Sequence, residues 1–265
     1  MRLNCIALVV VFLLFFCLLQ AQAAISISPA YLELKLDEGR PSGKFLISNP
    51  GDTQERYRIQ SIHFNFTPDG ALQSIEPDEH SLAKWIVFNP KELTLPPKTT
   101  RAVRFVIVPK DKLQEGEYWS GMQLESLNTT TSSGKGAGGR EVEIEIIPKI
   151  LVTIFGVSGE AKYSGTVGDS KIINNGGLSV IETTVTNTGT GRLLVLGTYE
   201  ISDVNGRIVA SGILPKGYVF RGNFRKIKAR LKEPVKAGIY AIKIKLESPQ
   251  LKEALSQSVV QEITP

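Results

Sequence analysis

Side chains able to do covalent or metal chemistry are scarce in this chain of 265 residues. There are two histidines, His63 and His80. Neither has a second histidine or a cysteine at ligand spacing, so no metal site is expected. The acid pair Asp78-Glu79 sits among turn residues and reads as solvated. Gly134, Gly136 and Gly139 spell a formal G-x-G-x-x-G. That pattern binds a dinucleotide only between a strand and a helix, and here an alternating strand pattern follows. No G-x-S-x-G, H-E-x-x-H or P-loop occurs. The residues imply a protein that is not an enzyme and needs no cofactor. What remains is the chemistry of strands: backbone hydrogen bonds and alternating apolar side chains.

The first 23 residues read as a secretory signal peptide. Arg2 gives a positive start, Ile6 to Leu19 an apolar run short for a membrane span, and Ala21-Gln22-Ala23 a small-residue cleavage site. Cleavage there predicts a mature start at Ala24, a location in the periplasm or elsewhere in the cell envelope, and no transmembrane span in the mature chain. Both cysteines, Cys5 and Cys17, fall inside this segment. The remainder then has no disulfide, no thiol nucleophile and no zinc-thiolate site. The formal net charge of +5 is mild for this length and argues against a nucleic-acid partner.

A string of structural punctuation occurs twice. Ser48-Asn49-Pro50-Gly51, Leu95-Pro96 and Gly116-Glu117-Tyr118 in the first half are echoed by Thr186-Asn187-Thr188-Gly189, Leu214-Pro215 and Gly238-Ile239-Tyr240 in the second. Period-two alternation dominates, as in Val103, Phe105 and Ile107 or Ile242, Ile244 and Leu246. Only Glu79 to Trp85 suggests a helical turn. The fold class is all-β, with two tandem immunoglobulin-like sandwiches: residues 24–155 and 156–265, joined near Phe155 to Ala161. Tyr118 and Tyr240 are expected at equivalent corners, each hydroxyl bonded locally.

The Gly-rich stretch Asn128 to Arg140 reads as a mobile loop. It precedes a long strand from Glu141 to Phe155 that runs directly toward the second domain. Val142, Ile144 and Ile146 alternate with Glu141, Glu143 and Glu145. Alternation alone leaves two readings open: the apolar row covers its own core, or it faces outward. The basic run Arg221, Arg225, Lys226, Lys228, Arg230, Lys232 and Lys236 reads as the solvent face of a strand, with attraction of an anionic partner as the alternative.

Ser28-Pro29-Ala30, Ile47-Ser48-Asn49, Lys84-Trp85-Ile86, Pro90, Leu95-Pro96-Pro97, Val103-Arg104-Phe105 and Gly116-Glu117-Tyr118-Trp119 follow one another in order. This series resembles the first domain of the PapD-like periplasmic chaperones of pilus assembly, best over Ile25 to Phe155. The resemblance implies a chaperone that binds subunits of a pilus or other surface structure by strand addition, with an outer-membrane usher as a further partner. It makes Val142, Ile144 and Ile146 the donor residues. It also implies two cations gripping a terminal carboxylate between the domains. Here the sequence departs. The position of the first cation holds Tyr31 or Glu33, and that of the second holds Leu151, leaving Lys149, two residues earlier, as the carboxylate anchor. The other reading is a non-catalytic structural or adhesive envelope module that binds a protein or an anionic polymer.

Overall fold

The computed structural model describes residues 25–110, 112–135, 140–175 and 177–264. The expected signal segment, with its cleavage site, and Gly136 and Gly139 of the glycine motif lie outside them.

The first sandwich is built from β1 (Ser26–Ser28), β2 (Tyr31–Lys35), β3 (Ser42–Ser48), β4 (Glu55–Phe66), β5 (Leu72–Ile75), β6 (Ile86–Asn89), β7 (Glu92–Leu95), β8 (Thr100–Ile107) and β9 (Gly116–Ser126). Two further strands, β10 (Thr130–Lys135) and β11 (Glu141–Ile146), form a two-stranded hairpin of their own, and β12 (Lys149–Ser158) returns to the sandwich. One sheet runs β1-β3-β8-β6, and the other runs β2-β12-β9-β4-β5 with β7 also on β4. The chain changes sheets at Pro29, whose missing N–H cannot continue the ladder of β1.

The second sandwich holds β13 (Gly165–Asn175), β14 (Leu178–Asn187), β15 (Leu193–Asp203), β16 (Ile208–Val219), β17 (Phe224–Arg230), β18 (Gly238–Glu247) and β19 (Leu255–Ile263). Its sheets are β13-β14-β17 and β16-β15-β18-β19. Each sandwich has its own core, and in both the inward residues are those the alternation selects. Phe45, Ile47, Val103, Phe105 and Ile154 fill the first. Ile181, Val185, Ile242, Ile244 and Leu246 fill the second. Where β19 carries Gln261 at an inward position, its amide donates to the Ile172 carbonyl (2.9 Å) and accepts from the Ile172 N–H (2.7 Å). A side chain thus closes the gap between the edges of two sheets.

The doubled punctuation has a physical counterpart. Asn49 and Asn187 are both buried. Asn49 accepts from the Gly51 N–H and donates to the carbonyls of Thr53 and Leu95. Asn187 accepts from the Gly189 N–H and donates to the carbonyls of Gly191 and Val219. The offsets of two and four residues are the same in both copies, so each asparagine ties a turn to a distant strand end in the same way. The carbonyl equivalent to Leu95 therefore belongs to Val219. The Leu214-Pro215 echo instead falls inside β16, at the register shift between Val195 and Gly197 on its neighbour.

Gly116 and Gly238 both open a strand with positive φ, +128° and +152°. At Gly116 a side chain would also strike the Thr190 carbonyl at 3.0 Å, so glycine lets the second domain approach. The tyrosines differ. Tyr118 forms the expected corner, its hydroxyl accepting from the Gln114 N–H (2.9 Å) and donating to the Gln114 carbonyl (3.2 Å). Tyr240 lies over Gly238 without an equivalent bond among the described residues.

Two other expectations are corrected. The stretch 128–140 is not loop throughout, because Thr130–Lys135 pairs along its length with Glu141–Ile146. The strand expected from Glu141 to Phe155 is two strands, interrupted at Ile147-Pro148. β12 stays in the first sandwich to Ser158, where Asp37 accepts from the Ser158 hydroxyl (2.9 Å) and from the Gly159 N–H.

Candidate functional site

The β10–β11 hairpin extends β9 and β12 as an arm. Lys149 on β12 stands opposite Glu125 on β9, and Ile146 on β11 opposite Thr130 on β10. Four residues on one side, against two on the other, separate the paired blocks. Pro148 sits in the shorter gap; its carbonyl still accepts from Ser126 N–H (3.0 Å), but it has no N–H to give.

The even-numbered residues of β12, Val152 and Ile154, are fully buried in the first core. The same parity continues into β11 as Ile146, Ile144 and Val142. These are 50%, 56% and 43% exposed, because the opposite sheet ends before the arm. Ile147 adds a fourth exposed aliphatic. The three sequence-selected residues therefore stand together on one strand face and lie outside their own core. Across the hairpin they stand in register with Gly134, Ser132 and Thr130.

The arm's backbone is half satisfied. β11 pairs with β10 on one edge only. On β12, β2 pairs in parallel from Thr153 to Val157. The other edge from Glu141 to Val152 has no strand beside it among the described residues. An unpaired edge beside an apolar row can accept another strand.

Lys149 does not lie between the domains. It pairs across the ladder with Glu125, Nζ to Oε2 2.9 Å, where the arm meets the sandwich. The domain junction begins at Phe155, six residues and about 20 Å further along β12. Two arginines of the second sandwich lie there: Arg192, stacked 3.6 Å from the Phe155 ring centroid, and Arg221, which reaches Gly116 and leaves a buried Nη1 without a hydrogen-bond partner among the described residues.

Arg192 is 8% exposed, and its guanidinium bonds both Glu117 and Glu33. Its backbone N–H donates to the second oxygen of Glu117 (2.8 Å). Glu117 is buried, and burial pushes its carboxyl above the usual carboxylate range against the pull of Arg192. Glu33 stands beside Phe155 in register. Where the resemblance implies a cation there is thus an acid, and Arg192 beside it is already held by two carboxylates.

Aromatic packing completes the junction. Phe220 inserts among Trp119, Phe64, Phe66 and Phe155 with ring centroids 4.9 to 6.1 Å away. Asn65 donates to Asn223 (2.9 Å). The basic run is partly consumed here. The Lys226 N–H donates to the Pro68 carbonyl, Lys228 pairs with Asp69 (2.6 Å) and Glu182 (3.2 Å), and Arg225 lies over Phe66. Arg230 and Lys232 remain exposed.

His63 is buried against Trp119, its Nε2 3.1 Å from an Asp78 oxygen at an angle that makes no hydrogen bond. His80 stacks on Trp119, and burial, aided by Arg221, lowers its pKa. Among the described residues no group of three His, Cys, Asp or Glu side chains is placed to hold a metal ion.

No protein-family model matches the chain, and no curated protein matches it. Several solved structures align with most of its length. One is a chaperone–tip adhesin complex of CFA/I fimbriae biogenesis, at 16% identity and a TM-score of 0.47, covering 92% of this chain and 100% of that one. A second is the class 5 fimbriae chaperone CfaA, at 15% and 0.47, covering 89% and 98%. A third is the CupB2 chaperone of Pseudomonas aeruginosa, at 10% and 0.42, covering 90% and 100%. At these values the likenesses carry no weight for function, which rests on the chain's own strands.

The sequence marked Val142, Ile144 and Ile146 but missed the junction residues Arg192, Glu117 and Phe220. Arg192 follows the Thr-Gly-Thr-Gly turn with no local pattern around it. Its partners are 75 and 159 residues away, and no spacing signal reaches that far.

Proposed function

We propose that this protein is a periplasmic chaperone-like protein that binds subunits of a pilus or related surface structure by adding a strand to them. The observation that carries the reading is the arm. An extended strand leaves one backbone edge unpaired and holds Val142, Ile144 and Ile146 outside its own core on one face. Backbone bonds along that edge would supply affinity, and a partner groove with three aliphatic pockets would supply register. The order of motifs that resembles the PapD-like chaperones supports the same reading. Lys149 is paired with Glu125 on the ladder and Arg192 with two acids, so the reading rests on the strand edge rather than on a carboxylate anchor. Export of the chain with a mature start at Ala24 is part of the proposal, and N-terminal sequencing of envelope protein checks it.

Hydrogen exchange tests the donor role. The protein, alone and bound to a subunit captured from envelope extract, is compared at the amides of 141–152. Protection that appears on binding and is lost with Ile144→Asp is expected. A bound subunit that leaves these amides unprotected refutes strand addition and favours a surface-binding envelope module.

A further inference from the structure

The outer face of the arm carries a second kind of information. In the closed sheets of this chain, Glu33, Glu55, Glu117, Glu247 and Glu262 stand opposite apolar residues, while Glu92, Glu125, Glu182 and Glu200 each stand directly opposite a lysine or arginine on a neighbouring strand. The pairs are Glu92 with Arg58 (3.1 Å), Glu125 with Lys149 (2.9 Å), Glu182 with Lys228 (3.2 Å) and Glu200 with Lys243 (3.8 Å). On β11, Glu141 stands opposite Lys135, whereas Glu143 and Glu145 have no cation across the hairpin. The residues opposite them on β10 are Ser133 and Thr131, both neutral. Their other neighbour would be whatever strand occupies the free edge of β11.

Successive glutamates on one strand face are about 6.8 Å apart along the chain, closer than the Debye length of about 8 Å at physiological salt. Their charges therefore act together and repel one another. Opposite charges directly across a ladder are favourable, and like charges there are unfavourable. A strand laid on this edge also obeys alternation. Residues opposite Val142, Ile144 and Ile146 share the apolar face, and residues opposite Glu143 and Glu145 share the acidic face.

Resting on the strand-addition reading, we propose that the partner strand beside β11 alternates apolar residues with lysine or arginine. Glu143 and Glu145 select it, while Val142, Ile144 and Ile146 anchor it. The apolar row then gives general affinity for a sandwich with an open groove. The acidic row discriminates among such partners and hastens encounter with basic ones.

Three fluorescently labelled peptides test this with the full chain, by anisotropy. Each has valine at every second position, with lysine, threonine or glutamate between. The lysine peptide is expected to bind roughly tenfold tighter than the glutamate peptide at low salt, with threonine between them. The gap should shrink as salt rises. Glu143→Gln with Glu145→Gln should erase the gap and leave the threonine peptide unchanged. Ile144→Asp should weaken all three. Equal binding of the three peptides, each lost with Ile144→Asp, overturns the charge selection and leaves strand addition standing. Binding of the lysine peptide that ignores Ile144→Asp, or no binding of any peptide, overturns both.

Discussion

Replacing Arg192 with methionine removes the one charge that compensates a buried carboxylate while keeping the length of the side chain and its contact with the Phe155 ring. Glu117 is 4% exposed, and its carboxylate would be left with one backbone N–H donor. Breaking a buried pair by removing one partner typically costs about 3–5 kcal/mol. The bond to Glu33 adds little, because Glu33 is 59% exposed and water screens it. The cost must depend on pH. Burial already holds the Glu117 carboxyl above its unfolded value, and loss of Arg192 raises it further. Between the unfolded and folded pKa values the folded state binds more protons than the unfolded one. Stability therefore rises as pH falls through the folded value and levels off below the unfolded value. Urea unfolding followed by the emission of Trp85 and Trp119, both in the first sandwich, measures this. Arg192→Met should lose about 3–5 kcal/mol at pH 8 and recover much of it toward pH 5. Adding Glu117→Gln should remove the pH dependence. A loss below about 1 kcal/mol at pH 8, or one that is flat between pH 5 and 8, refutes the view that Arg192 compensates a buried charge.

Two further outcomes follow from the same geometry. Ile144→Asp should change unfolding free energy by no more than about 0.5 kcal/mol, whereas Ile154→Ala, in the same row but fully buried, should cost about 2–5 kcal/mol; urea titration of both variants decides, and a large loss at Ile144 would mean that the arm packs on the sandwich. Tyr118→Phe should cost about 1 kcal/mol through its two bonds to Gln114, while Tyr240→Phe should be nearly neutral; equal effects would contradict the difference between the two corners.

Strand content and the two-sandwich plan were legible because each strand carries its own period. The repeat was legible because Asn49 and Asn187 must sit in the same turn to make the same bonds. The apolar row Val142, Ile144 and Ile146 was legible as alternation, but its exposure was not. Whether Ile144 meets a core depends on where the opposite sheet stops, and no residue near it encodes that. The break at Pro148 could have been read from the missing N–H. The glycine-rich sequence suggested loop, yet Thr130 to Ser133 pair because Glu141 to Ile146 offer a ladder, a tertiary effect that overrides local preference. The junction was illegible for another reason. Its charges lie on strands far apart in sequence, and a glutamate on a strand face looks solvated until a second domain covers it.

The parallel pairing of β2 with β12 sets an order of events along the chain. Lys35 stands beside Val157, so the first sheet cannot close until more than a hundred further residues have emerged. Such distant contacts make for slow closure, since the whole intervening loop must be ordered first. The arm at Glu141–Ile146 lies within that loop. It is therefore synthesised before the domain that carries it can finish folding. Tyr31–Lys35, which has no other strand beside it among the described residues, waits as an open edge throughout that interval. The slowest step in maturing this molecule should be the meeting of β2 with β12, the first and last strands of their sheet in chain order.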